Sequence, residues 1–163
     1  MGKLYMKEKK ISIKGKYKVF DEKDNVKYTI EGSFIKIPKR FTITNSLGKE
    51  VAEVSKKLIS LRPKYTIDIN GKEVVTLKKK LAAIGSKYKI ESEDIEVKGD
   101  WWDYNFKVLR KGKQIATVSK KLLSWGDSFV LEVNNPRDET IIVALVVAID
   151  RMMDDQEDAD AMD

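Results

Sequence analysis

The sequence predicts a mainly β fold, in which about twelve antiparallel strands close into a barrel around one buried hydrophobic C-terminal helix. Three observations predict it. A turn-and-strand unit recurs along the chain, beginning at Gly48, Gly71 and Gly112. Segments such as Trp102-Asp103-Tyr104-Asn105-Phe106-Lys107-Val108 alternate apolar and polar residues with the period of a half-buried strand. Finally, Ile141 to Ile149 reads IIVALVVAI, with no polar residue on any side.

The elements follow in chain order. Tyr17 to Phe20 and Tyr28 to Ile30 flank turn residues at Asp24-Asn25, and Phe41-Thr42-Ile43 reads as a strand; together they form a weak copy of the unit. The full copies are GKEVAEVSKKLISLRPKYTI from Gly48, GKEVVTLKKKLAAIGSKYKI from Gly71 and GKQIATVSKKLLSWGDSFVL from Gly112. All three share Gly-Lys, an aliphatic residue three places after the Gly, a Lys-Lys pair and then Leu. An aromatic residue (Tyr65, Tyr88, Phe129) opens the segment that ends each copy.

Within a copy the apolar residues also fall at helical spacing: Val51, Val54, Leu58 and Leu61, then Val74, Leu77, Leu81 and Ile84, then Ile115, Val118, Leu122 and Trp125. Strands are nevertheless the preferred reading. Each copy opens on a Gly-Lys turn after an extended segment, and clean alternation follows at Tyr65–Ile69 and Phe129–Val133. A β-bulge shifts the inward face by one residue and so imitates a period of three. Each copy is therefore expected to hold two strands joined at or just after its Lys-Lys pair. Ile95–Lys98 is expected to lead into the Trp102–Val108 strand across a hairpin turn at Gly99-Asp100.

The apolar run Ile141–Ile149 has nine residues, far short of the ~20 needed to span a bilayer. Its flanks favour a helix near 137–151. Asn135 suits the N-cap, Pro136 the first helical position, and Asp138 and Glu139 the positive end of the dipole. A helix that is apolar all round must be enclosed all round. One open sheet cannot do that, whereas a sheet curled around the helix can. The barrel domain is thus expected to occupy 1–153, and 154–163 to be an acidic, disordered tail.

Composition narrows the chemistry. The chain of 163 residues has no Cys and no His. This removes thiolate sites, the usual general base and the usual transition-metal ligand. No catalytic pair stands out by spacing, the glycines lie singly in turns, and the acidic end lacks the spacing of a calcium-binding loop. No catalytic residue, metal site or cofactor is predicted. Met1 to Ile13 has no apolar stretch of the signal-peptide kind, and Met6 stands where a myristoylation motif wants Ser or Thr. A cytoplasmic location, with peripheral attachment to membranes, is the expectation.

The segment from Gly112 through Val133, the opening VFDEKDNVKYTIEG and the ending ETIIVALVVAIDRMMDDQED resemble the LURP-one-related family of the tubby C-terminal superfamily. The resemblance implies a twelve-stranded antiparallel barrel around a central hydrophobic helix, in agreement with the enclosure argument. On function it implies less. Tubby relatives bind phosphoinositides, and the distantly similar phospholipid scramblases act at membranes. No ligand-contacting residue carries over by position.

The charge distribution points to an anionic partner. Seven carboxylates against Arg151 give residues 150–163 a net −6, so the rest of this +6 chain carries +12. The candidate binding residues are the repeated pairs Lys56-Lys57, Lys79-Lys80 and Lys120-Lys121, which related hairpins would present at one rim. A non-enzymatic binding or scaffold protein is the resulting expectation. It would attach peripherally to anionic phospholipid headgroups, or alternatively act as a protein–protein interaction module for an acidic partner. Nucleic acid is the weaker candidate, because the alternation of Trp102 and Tyr104 assigns the aromatics near Lys98 and Lys107 to a core.

Overall fold

The computed structural model describes residues 2–8, 16–33, 39–59, 62–80, 87–92, 94–101, 103–123 and 126–161. Twelve strands precede one helix: β1 (Gly2–Glu8), β2 (Tyr17–Phe20), β3 (Val26–Ser33), β4 (Arg40–Asn45), β5 (Glu50–Ile59), β6 (Arg62–Ile69), β7 (Lys72–Lys80), β8 (Lys87–Glu91), β9 (Ile95–Asp100), β10 (Asn105–Arg110), β11 (Lys113–Leu123) and β12 (Gly126–Val133). A 3-10 turn at Pro136–Asp138 then leads into α1 (Glu139–Ala161).

All strands belong to one antiparallel sheet in the order β8-β7-β6-β5-β4-β3-β2-β1-β12-β11-β10-β9. Pairing β1 with β12 makes the sheet wrap, so that β8 and β9, consecutive in the chain, stand at its two ends. The result is a nearly closed barrel, and α1 fills it: every residue from Ile142 to Ile149 is fully buried. Inward residues from all around the sheet, including Met6, Ile30, Ile43, Ile67, Leu77 and Leu131, complete the core. The enclosure expected from the apolar run is the enclosure observed.

The helical spacing inside each repeat has the bulge as its cause. In β5, Glu50 pairs with Thr44 and Ala52 with Ile43, which leaves Val51 as the extra residue. In β7, Val74 is skipped between Glu73 and Val75; in β11, Ile115 is skipped between Gln114 and Ala116; and in β3, Lys27 is skipped between Val26 and Tyr28. The aliphatic residue three places after each repeat glycine is therefore the bulge residue. Gly48, Gly71 and Gly112 take φ of 80°, 82° and 80°, as tight turns beside such bulges require.

The strands carry the lysine pairs and end at or just after them, as expected: β7 closes at Lys80, β5 at Ile59 and β11 at Leu123, with Lys56 opposite Tyr65 and Lys120 opposite Phe129. Three features depart from the sequence-based expectation. Gly99 and Asp100 belong to β9, and the turn falls later, with Tyr104 in it at φ 50°. Gly99 adopts φ 131°, and a Cβ there would lie 2.5 Å from the Asn105 carbonyl oxygen, so glycine fits both the conformation and the close approach. Trp102, Leu81, Ile84 and Trp125 lie outside the described residues. β1 adds a strand within the segment read only for targeting signals.

The largest difference concerns the C-terminus. Asn135 caps the 3-10 turn, its Oδ1 accepting from the Arg137 N–H at 3.1 Å. α1 then continues to Ala161, past the boundary expected at 154. Neither Gly nor Pro interrupts it. Arg151 and Asp154 form a 2.8 Å ion pair one turn apart, and Asp155 is anchored to β5 and β6.

Candidate functional site

The odd-numbered strands all run toward the end of the barrel from which α1 emerges. At the opposite end, where α1 enters, buried Asp138 and Glu139 are matched by the strand ends. Arg110 bonds Asp138, and the Tyr28 hydroxyl donates to Glu139 Oε1 at 3.1 Å. Burial holds the Tyr28 hydroxyl above the usual tyrosine range, with the Glu139 charge adding to the effect.

At the exit end the apolar stretch of α1 gives way to Asp150. Its carboxylate accepts from Tyr17 at 2.5 Å and from Tyr104 at 2.8 Å. One turn on, Asp155 accepts from the Tyr65 hydroxyl and pairs with Lys56 at 2.9 Å. Tyr65 is buried, and burial together with the Asp155 charge pushes its hydroxyl well above the usual range. Tyr104 stacks on Phe129 with centroids 4.7 Å apart, and Lys120 lies 5.0 Å above the Tyr104 ring. Helix geometry carries α1 roughly 16 Å beyond Asp150. Asp154 and Asp155, both partly buried, thus stand in the mouth, and Glu157, Asp158 and Asp160 follow along the helix.

The three lysine pairs all lie toward this exit end, on β5, β7 and β11. They do not converge on one face: β5 and β7 are two places apart in the strand order, and β11 is six from β5. Strand alternation also splits each pair. The first member turns to the mouth, as Lys56 does toward Asp155 and Lys120 toward Tyr104. The second member, Lys57 or Lys121, is exposed on the outer face. Lys79 and Lys80 hold the equivalent register positions, opposite Tyr88 and Lys87, and their side chains lie outside the described residues.

The register brings together lysines that the pair motif does not contain. Lys57 stands directly opposite Lys64, Lys64 opposite Lys78, and Lys78 opposite Lys89, a lysine row crossing β5, β6, β7 and β8. Residues directly opposite in antiparallel strands have Cβ atoms roughly 5 Å apart. Lys78 forms a 3.2 Å ion pair with Glu91. Among the described residues no carboxylate forms an ion pair with Lys64, and Lys57 acts electrostatically on the Asp68 carboxyl, favouring its charged form. Next to this row runs a row of hydroxyls, Ser55, Thr66 and Thr76, all buried. The Thr66 hydroxyl has no hydrogen-bond partner. Beyond it lies an acidic row, Glu53, Asp68 and Glu73, where burial and the neighbouring carboxylates raise the Asp68 carboxyl above its ordinary range.

Among the described residues no helix is long and apolar enough to cross a membrane, and no group of His, Cys, Asp or Glu side chains is arranged to hold a metal ion.

Comparison with known proteins places this geometry in a family. The chain is 33% identical over 158 residues to YxjI, an uncharacterized protein of Bacillus subtilis (strain 168), covering 97% of this chain and 98% of the relative. An X-ray structure of a protein from Arabidopsis thaliana superposes with a TM-score of 0.64 at 15% identity, over 93% of this chain and 90% of that one, and shares the fold. The family model described as LURP-one-related matches residues 3–150, nearly the whole barrel and most of the buried part of the helix. The chain belongs to the LURP-one-related family.

Proposed function

We propose that this protein is a non-enzymatic binding protein that attaches peripherally to anionic phospholipid headgroups through the outer flank of β5–β8. The observation that carries this reading is the row Lys57–Lys64–Lys78. Lysines on directly opposed residues repel one another, so an anion placed between them is attracted by both. Near an anionic membrane each lysine contributes about 1 kcal/mol. The row therefore supports useful, salt-sensitive attachment.

The same electrostatics favour the flank over the mouth. Lys56, the mouth-facing member of its pair, already neutralises Asp155. The acidic end of α1 repels any anionic surface that approaches along the barrel axis. The filled interior also favours the outside: Leu145 and its neighbours occupy the space where other barrels hold ligands.

Co-sedimentation with phosphatidylserine-containing and with purely phosphatidylcholine vesicles, at rising salt, tests the reading. Binding to the anionic vesicles that falls steadily from 50 to 500 mM NaCl is expected, on the order of the screening seen for exposed charges. Equal binding to both vesicle types, or binding to neither, overturns it.

A further inference from the structure

The strand order contains an internal correspondence: β5, β6, β7 and β8 lie six places from β11, β12, β1 and β2 in a twelve-stranded ring. Six places in twelve is the opposite side of the barrel. The sequence repeat respects this relation, since the unit at Gly112 is offset by 64 residues from the unit at Gly48, so that Lys121 corresponds to Lys57 and Ser128 to Lys64.

The register completes a second row at the corresponding level. Lys121 stands opposite Ser128, Ser128 opposite Lys7, and Lys7 opposite Lys18. Lys121 and Lys18 are exposed. Lys7 lies 4.9 Å above the Phe20 ring, which braces its stem along the outer face. Ser128, in the middle of the row, is buried and its hydroxyl has no hydrogen-bond partner. Where the first flank has a hydroxyl row beside its lysines, the second has the partly buried aromatic residues Tyr5 and Phe20, a pairing suited to a headgroup surface.

Resting on the anionic-lipid reading above, we infer that the protein is bivalent. The Lys57–Lys64–Lys78 flank and the Lys121–Lys7–Lys18 flank face opposite ways, and one molecule bridges two anionic bilayers. Twelve strands at ~4.8 Å spacing and ordinary tilt give a barrel about 24 Å across. The flanks are then separated by several Debye lengths of about 8 Å at physiological salt, so occupation of one leaves the other free to bind.

The experiment is vesicle clustering by the full chain, with phosphatidylserine–phosphatidylcholine vesicles in excess, read as hydrodynamic size and turbidity alongside co-sedimentation. The wild-type protein is expected to cluster vesicles, reversibly in high salt. Lys57→Glu with Lys64→Glu, and separately Lys18→Glu with Lys121→Glu, should each abolish clustering, while binding stays within about tenfold of wild type, as expected when the opposite row remains. Unchanged melting temperatures identify variants in which only the surface charge has changed. Wild-type binding without clustering overturns bivalency and leaves the attachment reading standing. Clustering that survives either variant, as bridging by a self-associated protein would, also overturns it. So does complete loss of binding in one variant with full binding in the other. No wild-type binding to anionic vesicles overturns both readings together.

Discussion

Tyr17, at the head of β2, donates a 2.5 Å hydrogen bond to Asp150, which lies 133 residues away just after the uninterrupted apolar run of α1. Tyr104 donates to the other oxygen of the same carboxylate at 2.8 Å. Both tyrosines are buried, so Asp150→Ala removes the carboxylate to which two buried hydroxyls donate. The expected cost is about 2–5 kcal/mol, against roughly 1.5–3 for Tyr17→Phe, which removes one charged hydrogen bond and leaves Asp150 held by Tyr104. Urea titration measures both; an unchanged midpoint for Asp150→Ala contradicts this role.

Leu145, fully buried near the middle of α1, tests enclosure. Leu145→Asp places a charge where no partner can reach it and is expected to unfold the whole domain, because the sheet has no other core. Leu145→Ala should cost about 2–5 kcal/mol by cavity formation. Tryptophan fluorescence and circular dichroism should report one coincident transition. Cooperative unfolding of Leu145→Asp at near wild-type stability would show that the helix is not enclosed.

Gly99→Ala is expected to cost more than Gly48→Ala. A Cβ at Gly99 meets the Asn105 carbonyl at 2.5 Å, whereas at Gly48 it meets nothing within 4 Å. Both have positive φ, so Gly48→Ala should lose about 1 kcal/mol through backbone strain alone, and Gly99→Ala at least twice that. Equal losses would contradict the close approach of β9 and β10.

Tyr65 gives a pH signature. Its unfolded-state hydroxyl titrates near 10.0, and burial with the Asp155 charge raises it in the fold. Above pH 10 the unfolded chain releases a proton that the folded chain keeps. The stability contribution is therefore complete below pH 10 and is lost as pH rises beyond it, by up to about 1.4 kcal/mol per pH unit. Tyr28 is raised in the same direction. Tyr65→Phe should make the alkaline decline shallower; an unaltered slope between pH 10 and 12 contradicts the assignment.

The barrel and its filled interior were legible because the apolar run of α1 leaves no alternative to enclosure, and the bulge was legible because Val51, Val74 and Ile115 repeat at one distance from a turn glycine. The lysine row was not. Lys64 and Lys78 lie 14 residues apart in the chain, and they meet only once the turn at Asn70-Gly71 and the bulge at Val74 fix the register. The Lys-Lys motif was visible, but strand alternation sends its two members to different sides. The end of α1 was missed because carboxylate-rich composition suggests solvation, and only tertiary partners on β5 and β6 show Asp155 to be anchored.

The most direct test of flank attachment compares two charge-matched variants. One replaces Lys57, Lys64, Lys18 and Lys121 by Gln; the other replaces Lys23, Lys49, Lys72 and Lys113, exposed residues in and beside the turns at the entry end. Both lose the same net charge. The first removes two lysines from each flank, about 2 kcal/mol per flank, and should weaken partitioning onto anionic vesicles about 30-fold at physiological salt. The second should stay within about threefold of wild type, since its lysines lie at the entry end, the length of a strand away from the two lysine rows. Equal losses in the two variants would mean that overall charge, not the lysine rows, governs attachment.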